Sequence, residues 1–131
     1  MKKQVIETKK LPKPVGPYSQ GIKIKAGSLL FLSGQVARDH ERNIIGKGDI
    51  TAQTDQVLRN LQAGLEAGGA SLKDVVKLGI YLTNIDDYEK ISNVRSKYFK
   101  DPFPSSTLVE VKRLLDKDLL IEIDAIAVLN D

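Results

Sequence analysis

The chain has 131 residues, 41% of them hydrophobic and 28% charged, enough apolar material for one compact domain and too little length for two. It has no cysteine, which excludes disulfides, thiolate nucleophiles and thiolate metal sites, and its one histidine argues against a transition-metal centre. The net charge of +3 is uneven: residues 1 to 25 hold seven lysines against one glutamate, but Tyr18 is their only aromatic, a pattern of solubilising lysines rather than of a nucleic-acid groove.

Gln4 to Thr8 reads as a short strand, and the Pro-broken segment from Leu11 to Pro17 reads as an ordered loop. Gly21 to Ser28 alternates and then turns into Leu29 to Gln35, so the two runs predict a hairpin. Four consecutive apolar residues, Leu29 to Leu32, predict a strand covered on both faces. After a charged loop carrying His40 and Gly46-Lys47-Gly48, Asp49 or Thr51 can cap a helix with Ile50, Thr54, Val57, Leu58, Leu61 and Leu65 on one stripe, stopped by Gly68-Gly69. Ser71 and Asp74 have the spacing of a capping box, but the β-rich run Val75 to Leu82 takes over as a strand. Asp86 is the expected cap of a second helix, whose buried stripe is Tyr88, Ile91, Val94, the aliphatic stem of Arg95, Tyr98 and Phe99, ended by Asp101-Pro102.

Two alternating strands follow, Val109 to Arg113 and Ile121 to Val128. They place Glu110, Glu122 and Asp124 among apolar neighbours, which makes Glu122 the leading candidate acid. The order β-β-β-α-β-α-β-β predicts a single α+β domain over residues 1–131, a mixed sheet with two helices that cover one face, and self-association over the other face. No apolar run approaches the roughly 18 residues of a membrane helix, and the Lys-rich start lacks a signal peptide's apolar block, so a cytoplasmic protein is expected.

The motifs G-P-Y-S-Q-G at Gly16 to Gly21, S-G-Q at Ser33 to Gln35, I-x-N-V-x-x-x-Y-F at Ile91 to Phe99, F-P at Phe103-Pro104, then V-E-V-x-R-L and I-E-I-x-A-I-A-V occur in the order that resembles the RidA/YjgF family of reactive-intermediate deaminases. The resemblance implies a chorismate-mutase-like fold and a homotrimer with an internal barrel. It also implies inter-subunit clefts that hydrolyse enamines and imines such as 2-aminoacrylate to keto acids and ammonia, with no cofactor or metal. By matching motif, Glu122 would position or activate the water, while Tyr18, Ser33 and Asn93 would line the substrate site. Ser106 stands where the family carries a substrate-gripping arginine, Leu108 where cysteine is common, and the turn from Leu114 to Leu119 has one residue more than the family's, which is expected to disturb strand pairing near Glu122.

Each position also fits a structural role: Tyr18 can pin a turn, Ser33 can close a strand, Asn93 can be a solvated helix residue and Glu122 an outward ion-pair partner. Because Ser106 offers one neutral donor in place of a guanidinium fork, a second reading is a binding module for ligands without a carboxylate; Arg38 and a neighbouring subunit are the alternative sources of a cation. An RNA-directed translation inhibitor is a third, resting on the N-terminal lysines alone.

Overall fold

The computed structural model describes residues 3–25 and 27–130. Six strands and two helices appear in the order expected: β1 (Lys3–Ile6), β2 (Gly21–Ile24), β3 (Ser28–Gln35), α1 (Ile50–Ala67), β4 (Val75–Leu82), α2 (Tyr88–Tyr98), β5 (Ser105–Glu110) and β6 (Ile121–Leu129). The main sheet is mixed, ordered β3-β6-β4-β5, with β4 and β5 parallel and the other pairs antiparallel.

The helices form where the apolar stripes dictate. Asp49 caps α1 by accepting the Ala52 N–H at 3.1 Å, and Gly68 with Gly69 ends it. All six predicted stripe residues are buried. Each fully buried Leu or Val contributes about 1.5–3 kcal/mol, so packing rather than propensity holds the helix in place. Gly64 and Gly68 let α1 lie close on β3: a β-carbon at these positions would stand 2.9 Å from Leu32 Cδ2 and 2.0 Å from Leu30 Cδ1. In α2, Ile91, Val94 and Arg95 are buried, as is Phe99 just beyond it. Both helices share one core with Leu78, Ile80, Ile121 and Ile123 on the same side of the sheet.

Several expectations are corrected. β2 and β3 form no hairpin: β2 pairs antiparallel with β1 in a separate two-stranded ribbon, and β3 pairs with β6. β3 is longer and drives Leu30 and Leu32 into the α1 groove beside the nine-residue β6, whereas β2 has only half-buried Ile22 and Ile24 to offer. The capping box of Ser71 and Asp74 is present but closes only a 3-10 turn before β4. Before α2 it is Asn84, not Asp86, that caps, accepting the Asp86 N–H at 3.0 Å to open a 3-10 turn. β5 starts at Ser105 and stops at Glu110, so Arg113 lies outside it, donating to the Leu114 and Leu115 carbonyls. Pairing of β4 with β6 runs unbroken from Lys77↔Ile126 to Leu82↔Ile121, so the longer preceding turn leaves Glu122 in register.

The face of the sheet away from the helices is bare. Leu29 is 59% exposed and Phe31 69%, so β3 is covered on one face only within this chain. No helix among the described residues is long and apolar enough to cross a membrane.

Candidate functional site

Directly paired residues project to the same side of a sheet, which sorts the candidate residues into two groups. Glu122 pairs with Tyr81 and Asp124 with Gly79, and both carboxylates lie on the bare face with half-buried Ile126. Ser106 pairs with Leu78, a core residue, and so projects with Leu108 to the helix side.

On the bare face the glycines make room for the acids. A β-carbon on Gly34 would stand 2.2 Å from Glu122 Oε2, so this carboxylate is seated across β3 in a space that only glycine leaves open. The β3–β6 register is broken between Leu32 and Gln35, where Ser33 and Gly34 bulge opposite the Asp124 region. Exposed Ser33 therefore lies next to the Glu122 seat. A β-carbon on Gly79 would likewise meet Asp124 Oδ1 at 2.5 Å. The Tyr81 hydroxyl donates to Asp124 Oδ2 at 3.1 Å, and this bond, with the negative charges of Asp124 and Glu122, raises the phenol's pKa.

On the helix side, the G-P-Y-S-Q-G segment is fastened to the start of β5. The Ser19 N–H donates to the Pro104 carbonyl at 3.0 Å, its hydroxyl donates to the Phe103 carbonyl, and Ser19 bridges Ser105 in parallel. This sets Tyr18 beside the start of β5, its hydroxyl accepting the Val15 N–H at 3.2 Å. Gly16 is again a space-maker, since its β-carbon would stand 2.5 Å from the Tyr88 hydroxyl. Beneath these rings lies a residue that the stripe pattern treated as an aliphatic stem. Arg95 is 1% exposed, and its Nη1 donates to the Ser106 hydroxyl at 3.4 Å. Burial pushes its pKa down, and the Tyr88 and Tyr18 phenols partly offset this. Asn93, by contrast, is exposed on the outer side of α2.

Arg38, the arginine expected as an alternative source of a cation, is engaged elsewhere. Arg38 donates to the Arg42 carbonyl at 2.6 Å and pairs with Asp116 at 3.4 Å. A cleft of about 740 Å³ opens beside Tyr18, Ser19, Lys9, Lys13 and Phe103, but neither Glu122 nor Ser106 lines it. Among the described residues there is no cluster of three His, Cys, Asp or Glu side chains for a metal.

Glu122 and Ser106 thus lie on opposite faces. They are also two strand spacings and three residue rises apart, about 14 Å by strand geometry. One chain does not bring them onto one small molecule.

Comparison with known proteins gives these positions a lineage. The family model described as Endoribonuclease L-PSP matches residues 8–129. A RutC family protein of Pyrococcus abyssi is 50% identical over 127 residues, spanning 97% of this chain and 98% of its own. A solved structure of a Yersinia pestis protein of unknown function, from the conserved Rid family, superposes with a TM-score of 0.90 at 32% identity, covering 98% of this chain and 100% of its own. The chain belongs to the RidA/YjgF family. A further RidA/YjgF relative, named 2-iminobutanoate/2-iminopropanoate deaminase in Dermatophagoides farinae, is 36% identical over 128 residues, 98% of each chain. The mixed sheet with two helices on one face is that of Rid structures.

Proposed function

We propose that this RidA/YjgF protein is an enamine/imine deaminase that hydrolyses small 2-imino acids to 2-keto acids and ammonia in clefts between copies of a cytoplasmic homotrimer. The observation that carries the reading is the seat of Glu122: a carboxylate held over Gly34 beside Ser33, on a face whose Leu29 and Phe31 await cover. A second copy docked there would exclude water from the apolar surface and close a cleft over the acid. The name of the mite relative supplies the substrate class.

In this reading Glu122 takes a proton from a water that adds to the imine carbon, giving a carbinolamine. The water's proton passes to nitrogen, the hydroxyl proton follows it by way of the Glu122 carboxylate, the C–N bond breaks, and ammonia leaves as the carbonyl forms. Tyr18 and Ser106 of a neighbouring copy face the substrate, and Ser33 donates to it. Asn93, exposed on α2, is left with the solvated role.

The test generates imine in situ with an amino-acid oxidase and measures what escapes to a semicarbazide trap. Wild-type protein is expected to lower the trapped amount, and Glu122→Gln to abolish the effect; no effect of the wild type, or an unchanged rate in the variant, overturns the proposal. The second reading, a binding module whose ligand lacks a carboxylate, is favoured by Ser106. Activity gained only by Ser106→Arg would establish it.

A further inference from the structure

Arg95 is a charged group placed where burial ordinarily forbids one. A buried guanidinium is tolerated when a carboxylate neutralises it and its N–H groups are bonded. Here no carboxylate among the described residues lies within ion-pair distance of it, and its Nε is buried without a hydrogen-bond partner. Positions 91, 92, 98 and 99, where a helical ion-pair partner would stand, hold Ile, Ser, Tyr and Phe. One turn earlier on the same helix face, the Ser92 hydroxyl is likewise buried and unpartnered. The guanidinium's bond to the Ser106 hydroxyl, 3.4 Å from Nη1, is long and neutral, and its other hydrogen-bond partner, the Tyr88 phenol, is neutral as well, so both are easily given up to a stronger acceptor. The positive charge with its free Nε thus meets the Ser106 hydroxyl at the position where the family arginine is missing.

We infer that Arg95 is the cation that holds the substrate's carboxylate in this protein, its guanidinium reaching from α2 to the place that a strand arginine fills in relatives. The inference deepens the deaminase reading and rests on it for the identity of the ligand. A carboxylate accepts side by side from Nε and Nη1 of Arg95, and the Ser106 hydroxyl turns to donate to it instead of accepting from Nη1. The Tyr18 and Tyr88 rings, both half-buried, lie near enough to interact with the guanidinium, and their rotation admits the ligand. Ser106 is then no loss of the carboxylate grip. A long side chain at 106 would collide with Arg95, and the hydroxyl is what fits beneath it.

The probes are 2-oxobutanoate and its uncharged amide. In wild-type protein the ¹⁵Nε resonance of Arg95 is expected to shift with 2-oxobutanoate and not with the amide, and the acid to bind about 10- to 100-fold more tightly, the range for a charge-assisted hydrogen bond. Arg95→Gln is expected to erase that preference, Arg95→Lys to keep part of it, and Arg95→Gln combined with Ser106→Arg to restore it. An Nε resonance unmoved by 2-oxobutanoate overturns the inference even where the variants do not fold, and so does undiminished acid binding by a folded Arg95→Gln. Imine hydrolysis separates the two claims. Active wild type with an unchanged KM in Arg95→Gln sinks the role of Arg95 alone. Inactive wild type that still binds 2-oxobutanoate through Arg95 sinks the deaminase alone.

Discussion

Replacing Gly34 with alanine puts a methyl group into the space that the Glu122 carboxylate occupies. The new carbon would stand 2.2 Å from Oε2, 2.9 Å from Cδ and 3.0 Å from Cγ, and an ordinary contact needs at least 3.4 Å, so the oxygen must retreat by about 1.2 Å. The obstacle is the far end of a flexible side chain, and swinging it off its rotamer costs about 0.5–1.5 kcal/mol. Gly34 does not have a positive φ in the range that disfavours alanine, so the alanine also returns about 0.4–1 kcal/mol through the unfolded chain. The two effects nearly cancel, and the melting temperature is expected to stay within about 5 °C of the wild type. Chemistry is far less forgiving, because a base displaced by about 1 Å loses on the order of 100-fold in rate. The assay pairs a thermal melt with imine hydrolysis, and the expected signature is a stable protein about as impaired as Glu122→Gln. Full activity in Gly34→Ala would show that the seat of Glu122 has no part in the reaction. A melting temperature lowered by more than about 10 °C would show that the space belongs to the backbone packing.

Two more outcomes can be checked without a substrate. Gln53 is fully buried and bonds three main-chain groups, donating to the Gly46 and Asp118 carbonyls and accepting the Leu120 N–H. Gln53→Leu keeps its bulk but strands those groups, so urea unfolding should show a loss of about 2–4 kcal/mol; a loss under about 0.5 kcal/mol would mean that water replaces the amide. Tyr81 has its pKa raised above the usual 10.0 by the bond to Asp124, so its contribution to stability is complete below pH 10 and is lost as pH rises through the folded value. Asp124→Asn should move one phenolate absorbance step to lower pH and flatten the loss of stability above pH 10, and an unchanged titration would refute the bond's importance.

The helices were legible because burial and period are local, although the cap was read correctly only for α1. The stripe of α1 and the boundaries of β4 follow from residues within one or two turns of each other. Partner choice was not legible in the same way. Alternation in Gly21 to Gln35 says that two strands exist but not that β6, 90 residues on, outcompetes the neighbouring strand for β3. The seat of Glu122 over Gly34 is a contact across such a pairing, hidden from any local pattern. Arg95 did leave a signal: an arginine in an apolar stripe with no acid three or four residues away is either a stem that reaches solvent or a buried charge in want of an anion. Spacing alone favours the stem, and only the 1% exposure decides otherwise.

The sheet separates Glu122 from Arg95 as a wall separates two rooms, so in the proposed homotrimer each chain would furnish half of two different clefts. In a ring of copies, a chain lacking the acid and a chain lacking the cation therefore fail for different halves. Mixed rings of the two contain some clefts that draw Glu122 from one parent and Arg95 from the other, and those clefts are whole. Two dead proteins, unfolded and refolded together, should regain part of the activity that neither has alone, and the fraction recovered counts how many copies build one site.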